Sequence, residues 1–177
     1  MNFFFIGYRC TGKTTIGQIL AKRINFNFID IDQTIEIESG LNIAQIVESK
    51  GWSKFRLLEK QTLLNINHTQ NLVIATGGGI VTDPDNLNFI LKNGFCIWLD
   101  AGIKTILDRL KSDVKTSSSR PSLTDDDLIE ETKKLLKLRK PLYDKCSRMK
   151  IDTTDKTTEE IVDIISRRIE NVRQQHR

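Results

Sequence analysis

The chain has little of several things, and each scarcity narrows what it can be. No apolar run among its 177 residues approaches the roughly 20 needed to cross a membrane as a helix. The run Phe3-Phe4-Phe5-Ile6 has neither a basic leader nor a cleavage region, so it is expected to be a strand and not a signal peptide. Cys10, Cys96 and Cys146 are odd in number, far apart and without C-x-x-C spacing, and read as reduced thiols of a cytoplasmic protein. His68 and His176 have no evident partners and are expected at the surface. The positive excess is mild, 27 Lys+Arg against 23 Asp+Glu, and the two signs are interleaved. Without a long cationic face or interleaved aromatics, no nucleic-acid partner is expected; a small anionic ligand suits the charge better. No internal repeat and no heptad seam is visible, which leaves a monomer as the default. Hydrophobic residues at 38% and charged residues at 28% suit one domain, 1–177, able to bury a core.

What is present is organised around Gly7-Tyr8-Arg9-Cys10-Thr11-Gly12-Lys13-Thr14. The stretch follows the apolar run and leads into Thr15 to Ile24, so a strand and a helix flank G-x-x-x-x-G-K-T. That spacing is a P-loop, whose backbone N–H groups curl around an anion. The new helix adds its own unpaired N–H groups and positive dipole end. Gly7 and Gly12 permit backbone angles that a Cβ would penalise. Lys13 can reach the outer phosphates, and the Thr14 hydroxyl can ligate Mg²⁺. A chance glycine turn would lack the flanking strand and helix, so the chain is expected to bind a nucleoside triphosphate.

Apolar runs and helical patterns then alternate. Phe28-Ile29-Asp30 reads as a second strand with Asp30 and Asp32 at its exit. Helical pattern runs from Gln33 to about Asn67, interrupted near Ser39-Gly40 and Gly51. Leu72 to Ala75 suits a buried parallel strand that ends in Thr76-Gly77-Gly78-Gly79. Asp83-Pro84 opens a helix through about Lys92, Phe95 to Leu99 is another strand, and a helix containing Ile106, Leu107 and Leu110 follows. The polar segment Ser112 to Asp127 has the length of a functional loop. Asp127 can cap a helix through about Lys137, whose continuation holds Arg139 and a break at Pro141. Met149 to Asp152 is a last strand and Thr158 to about Gln174 a last helix. Five short strands joined by helical crossovers make an α/β parallel sheet covered on both faces. Ligands of such sheets sit beyond the carboxyl ends of the strands, which aligns Gly7 to Thr14, Asp30, Asp32, Gly77 to Gly79 and the region after Asp152 on one rim.

The P-loop leaves the reaction open. One carboxylate of Asp30 and Asp32 can hold Mg²⁺, and the other can orient or deprotonate a hydroxyl for in-line attack on the γ-phosphate. The plainer account is that one or both cap the next helix. Arg56 and Glu59, three apart, are either a surface ion pair or an arginine steadied to present a fork to a carboxylate. Gly77-Gly78-Gly79 suits close approach of a ligand to the main chain. Arg120 in the polar loop and Arg139 before Pro141 are either solvated cations or a lid residue and a second carboxylate ligand. Together these residues describe a kinase for a small polyhydroxylated acid.

In order along the chain stand GYRCTGKTT, FIDID, FR-x-x-E at Phe55 to Glu59, ATGGG at Ala75 to Gly79, RPSL at Arg120 to Leu123 and R-x-P-L-Y at Arg139 to Tyr143. With these elements the chain resembles shikimate kinase from about Asn2 to about Ile165. The resemblance implies a three-layer P-loop kinase fold with a five-stranded parallel sheet of order 2-3-1-4-5, an acceptor-binding helical region at about 33–61 and a mobile lid at about 112–126. It implies transfer of the γ-phosphate of ATP to the 3-hydroxyl of shikimate, with Mg²⁺, as a step towards chorismate and the aromatic amino acids. Cys10, Thr11, Gly12, Lys13, Thr14 and Thr15 would hold the nucleotide, with Thr14 and Asp30 at the metal. Asp32 would contact the shikimate hydroxyls as the candidate base. Arg56 and Arg139 would grip the carboxylate, with backbone contacts from Gly78 and Gly79. Arg120 would close over the phosphates, and Arg109 and Lys156 would flank adenine.

The chain departs from the family pattern at Cys10, where glycine or another small residue is usual, and at Ser122, where leucine often stands. No Asp follows the third strand, an absence the family shares. Another small-molecule kinase of this fold, such as a gluconate or nucleoside monophosphate kinase, is the enzymatic alternative. A non-catalytic P-loop regulatory module is the other.

Overall fold

The computed structural model describes residues 1–66, 69–112 and 127–174. Its elements are β1 (Asn2–Ile6), α1 (Lys13–Ile24), β2 (Asn27–Asp30), α2 (Ile31–Ser39), α3 (Ile43–Leu64), β3 (Leu72–Ala75), a 3-10 turn (Ile80–Thr82), α4 (Pro84–Asn93), β4 (Gly94–Asp100), α5 (Ile103–Ser112), α6 (Leu128–Cys146), β5 (Met149–Asp152) and α7 (Thr158–Gln174). The strands form one parallel sheet of order β2-β3-β1-β4-β5, the order expected. The segment 113–126, with Arg120 and Ser122, lies outside the described residues, as do His68 and His176.

The alternation of β1 explains how one strand anchors both layers. Phe3 and Phe5 face Ile16 and Leu20 of α1 and Ile161, Val162 and Ile165 of α7. Phe4 and Ile6 face the opposite layer with Ile35, Leu63, Ile90 and Tyr143. These four apolar residues of β1 are buried, and each contributes roughly 2 kcal/mol by leaving water. Register then aligns the strand ends that matter: Asp30 pairs with Ala75, Phe5 pairs with Ala75 on its other side, and Ile6 pairs with Trp98. The chain leaving β1, β2 and β3 therefore emerges at one edge. A third cluster, Tyr8 with Ala101, Ile106, Leu110, Leu135 and Leu136, fastens the start of the glycine loop to α5 and α6.

Two boundaries differ from expectation. Helix α2 begins at Ile31, before Gln33, because the Asp30 side chain accepts from the N–H groups of Asp32 and Gln33 and starts the helix there. Helix α6 does not break at Pro141 but continues to Cys146. Pro141 and Lys137, whose carbonyl loses its donor, are both exposed, so water can satisfy the freed group. Asp127 occupies the cap position of α6, but its side chain accepts no cap hydrogen bond. Helix α3 carries the expected interruption as a single non-helical residue, Gly51, at φ 75°.

Candidate active site

The glycine loop shapes its side of the site mainly with backbone. Gly7 has φ 139° and Gly12 φ 92°, and a Cβ on Gly12 would lie 2.8 Å from Ile16 Cδ1. Cys10, at φ 59°, adopts the left-handed conformation without being glycine. Lys13 Nζ donates to the Tyr8 carbonyl at 2.6 Å, and Thr11 Oγ1 donates to the same oxygen at 2.9 Å. The ammonium is thus folded over its own loop, within reach of an anion seated there. Thr14 Oγ1 donates to Asp30 Oδ2 at 2.6 Å, while Asp30 Oδ1 accepts from Asp32 N at 3.0 Å and Gln33 N at 3.3 Å. Asp30 is therefore both a helix cap and a neighbour of the P-loop threonine. Arg109 donates to the Cys10 carbonyl at 3.2 Å and to Thr153 Oγ1 and O at 3.1 and 2.8 Å, joining the loop to the segment after β5. Thr15 is exposed at the start of α1, and Lys156 is exposed after β5.

Beside it lies an open cleft of about 400 Å³ whose chemistry comes from side chains. Asp32 from α2, Arg56 and Glu59 from α3, Gly77 to Gly79 after β3, Arg139 from α6 and Arg9 from the glycine loop line it. Arg56 Nη1 bonds Glu59 Oε2 at 2.6 Å, and its Cζ lies 5.5 Å from the Trp52 ring centre and 5.2 Å from that of Phe55. Its guanidinium rests on the Gly79 backbone, since a Cβ there would lie 2.6 Å from Arg56 Cζ. Glu59 is fully buried; burial pushes its carboxyl up to about 7, against the pull of Arg56, with Asp32 adding to the rise. Glu59 Oε1 has no hydrogen-bond partner among the described residues and abuts Gly77, beside Asp32 Oδ1. Arg139 is buried, makes no ion pair among the described residues, and sits one turn before Tyr143, whose hydroxyl donates to the Gly78 carbonyl. Burial lifts the Tyr143 phenol well above its ordinary range, so it remains a donor. The arrangement offers a carboxylic acid two guanidinium groups, and offers its hydroxyls one carboxylate on the side of the P-loop.

The sequence model of the family described as shikimate kinase matches residues 9–170. The chain belongs to the shikimate kinase family. It is 39% identical over 168 residues to the shikimate kinase of Sulfurihydrogenibium sp. (strain YO3AOP1), covering 95% of this chain and 97% of that one. Among solved structures it resembles the shikimate kinase of Acinetobacter baumannii in complex with shikimate, at TM-score 0.89 and 30% identity, covering 96% of this chain and 93% of that one. It also resembles the shikimate kinase of Aquifex aeolicus, at TM-score 0.82 and 35% identity, covering 96% of each chain.

Set beside the residues named for the family above, the structure gathers Asp32, Arg56, Gly78, Gly79 and Arg139 around the cleft. Thr14 and Asp30 are in contact, and Arg109 reaches the Cys10 carbonyl. Asp32, two residues beyond the end of β2, stands in the first turn of α2, where it is buried. Arg9 and Trp52 received no role from the sequence, yet both line the cleft. The signal for Trp52 was present: it precedes Arg56 by four positions, the spacing that stacks one helical side chain on another. For Arg9 the sign was a charge inside a glycine loop, where a small residue would serve the turn as well.

Proposed function

We propose that this protein transfers the γ-phosphate of ATP to the 3-hydroxyl of shikimate, giving ADP and shikimate 3-phosphate. The observation that carries the reading is the convergence of Asp32, Arg56 and Arg139 on one cleft beside the P-loop. Arg56 and Arg139 grip the carboxylate, for which paired planar guanidinium groups give both charge and direction. Gly78 and Gly79 let the acceptor ring approach the main chain. Asp32 accepts a hydrogen bond from the 3-hydroxyl and takes its proton as the oxygen attacks phosphorus. Lys13 leaves the Tyr8 carbonyl for the β- and γ-phosphates and stabilises the charge that spreads over the transferring group. The backbone of Cys10 to Thr15 holds the remaining phosphate oxygens, and Arg109 and Lys156 flank adenine.

The residues fit Mg²⁺. Thr14 and Asp30 present hard oxygen donors in mutual contact, and no group of three or more His, Cys, Asp or Glu among the described residues forms an all-protein cage for another metal. Bound there with the nucleotide, the ion would neutralise phosphate charge. Residues 1–177 act as one kinase domain in this reading, with about 33–61 serving the acceptor. The protein works as a cytoplasmic monomer with ATP and shikimate as its partners; no described helix is long and apolar enough to cross a membrane.

Release of ADP from Mg-ATP, compared with shikimate, gluconate and AMP as acceptors, tests the proposal. Turnover with shikimate alone is expected. Turnover with gluconate or AMP and none with shikimate overturns the acceptor assignment. ATP binding without turnover on any of the three overturns the enzymatic one.

A further inference from the structure

Arg9 remains without a task in the scheme above. It belongs to the glycine loop, yet it lines the cleft, and its side chain is only 11% exposed. Its Nη2 donates to Glu131 Oε1 at 3.1 Å, and Glu131, in the first turn of α6, is 1% exposed. The Arg9 Cζ lies 5.8 Å from the centre of the Tyr8 ring, and the Arg139 Cζ lies 6.0 Å from the same ring. Tyr8 is itself buried among Leu110, Leu135 and Leu136, so both guanidinium groups sit against one fixed ring.

An ion pair that merely fastened the glycine loop to α6 would explain Glu131. It does not explain a cation at the cleft wall, since Tyr8 already fastens the same two elements through apolar contacts. A guanidinium carries five N–H donors, and among the described residues its hydrogen bond to Glu131 is the one it makes. A buried carboxylate opposite it fixes its direction without consuming its remaining donors.

We propose that Arg9 contacts the acceptor from the P-loop side, and that Glu131 is the positioning residue that aims it. The inference rests on the reading above that the cleft holds shikimate. Arg56 and Arg139 hold the carboxylate end of the acceptor; the reacting end must face the γ-phosphate, which the glycine loop holds. Arg9 is a residue that belongs to both places: it lies four residues before Lys13 and shares the cleft with Asp32. A cation there meets the acceptor hydroxyls before transfer, and the phosphoryl group that one of their oxygens carries afterwards.

The test is steady-state kinetics on Arg9→Met, Glu131→Gln and the double variant, with shikimate and ATP varied separately. Arg9→Met is expected to raise the shikimate KM about tenfold and leave the ATP KM within about twofold. Glu131→Gln is expected to raise the shikimate KM by about threefold, and to add nothing in the Arg9→Met background, because its effect passes through Arg9. An unchanged shikimate KM in Arg9→Met overturns the inference, as does an equal rise for ATP, which would mean a distorted loop. Full additivity of the two substitutions overturns the positioning role. Where Glu131→Gln folds poorly, Arg9→Met alone still decides the first claim. A wild-type protein that does not phosphorylate shikimate at all would instead defeat the reading on which the inference rests.

Discussion

The two sides of the site are made from different materials. The side proposed for the nucleotide is one contiguous stretch, Gly7 to Thr14, whose glycine conformations, helix start and short hydrogen bonds are local. The side proposed for the acceptor draws Asp32, Arg56 with Glu59, Gly79 and Arg139 from separate elements, and its chemistry depends on burial and paired charge. A phosphate chain is common to many ligands, and a fixed backbone cradle suits it. A particular hydroxy acid must be told from others, and side chains on independent elements allow that choice. Damage to the first side should therefore stop transfer whatever the acceptor, whereas damage to the second should weaken one substrate.

The largest effect is expected at Lys13. Lys13→Ala should lower kcat by about a thousandfold or more while the fold survives, as judged by its circular dichroism and thermal midpoint. Wild-type turnover in that variant would break the comparison on the nucleotide side. Gly79→Ala should come next, since its methyl group lands on the Arg56 guanidinium. We expect the shikimate KM to rise about tenfold with little change for ATP, and an equal change in both would blur the two sides into one.

The buried carboxyl of Glu59 sharpens the contrast through pH. Its value of about 7 in the folded protein exceeds the ordinary 4.5, so the folded state holds this proton where the unfolded chain has lost it. The contribution is fully present below about pH 4.5 and is lost as pH rises through about 7, amounting to about 3 kcal/mol. Urea unfolding at several pH values should show this fall in the wild type and a flatter profile in Glu59→Gln; parallel profiles would remove Glu59 as the cause. The smallest effect is expected at Cys10, whose left-handed backbone favours glycine. Cys10→Gly should stabilise the protein by about 1 kcal/mol, read as a higher urea midpoint at unchanged slope.

The same contrast explains what could be read in the chain. The strands and the P-loop were legible because their signals are local: an apolar run, two glycines, a lysine and a threonine at fixed spacing. Asp32, Arg56 and Arg139 each allowed a plainer account as a cap, a surface pair or a solvated cation, and ordered short elements shared with a family chose between the readings, since nothing local ties Arg56 to Arg139. Helix α6 was misjudged at Pro141 because the cost of proline depends on whether the carbonyl it orphans faces water, as Lys137 and Pro141 do here. The state of Glu59 was illegible for a similar reason: an Arg three residues away looks like a surface pair until the helix face is known to be buried. Arg9 and Glu131, 122 positions apart, meet only once the sheet and α6 are in place.

Calorimetric titration of Arg139→Ala with shikimate and, separately, with Mg-ATP tests the central claim most directly. The account predicts that shikimate affinity falls about a hundredfold while nucleotide affinity stays within about twofold. Unchanged shikimate affinity, or a parallel loss for both ligands, would contradict a site made of two separately built halves.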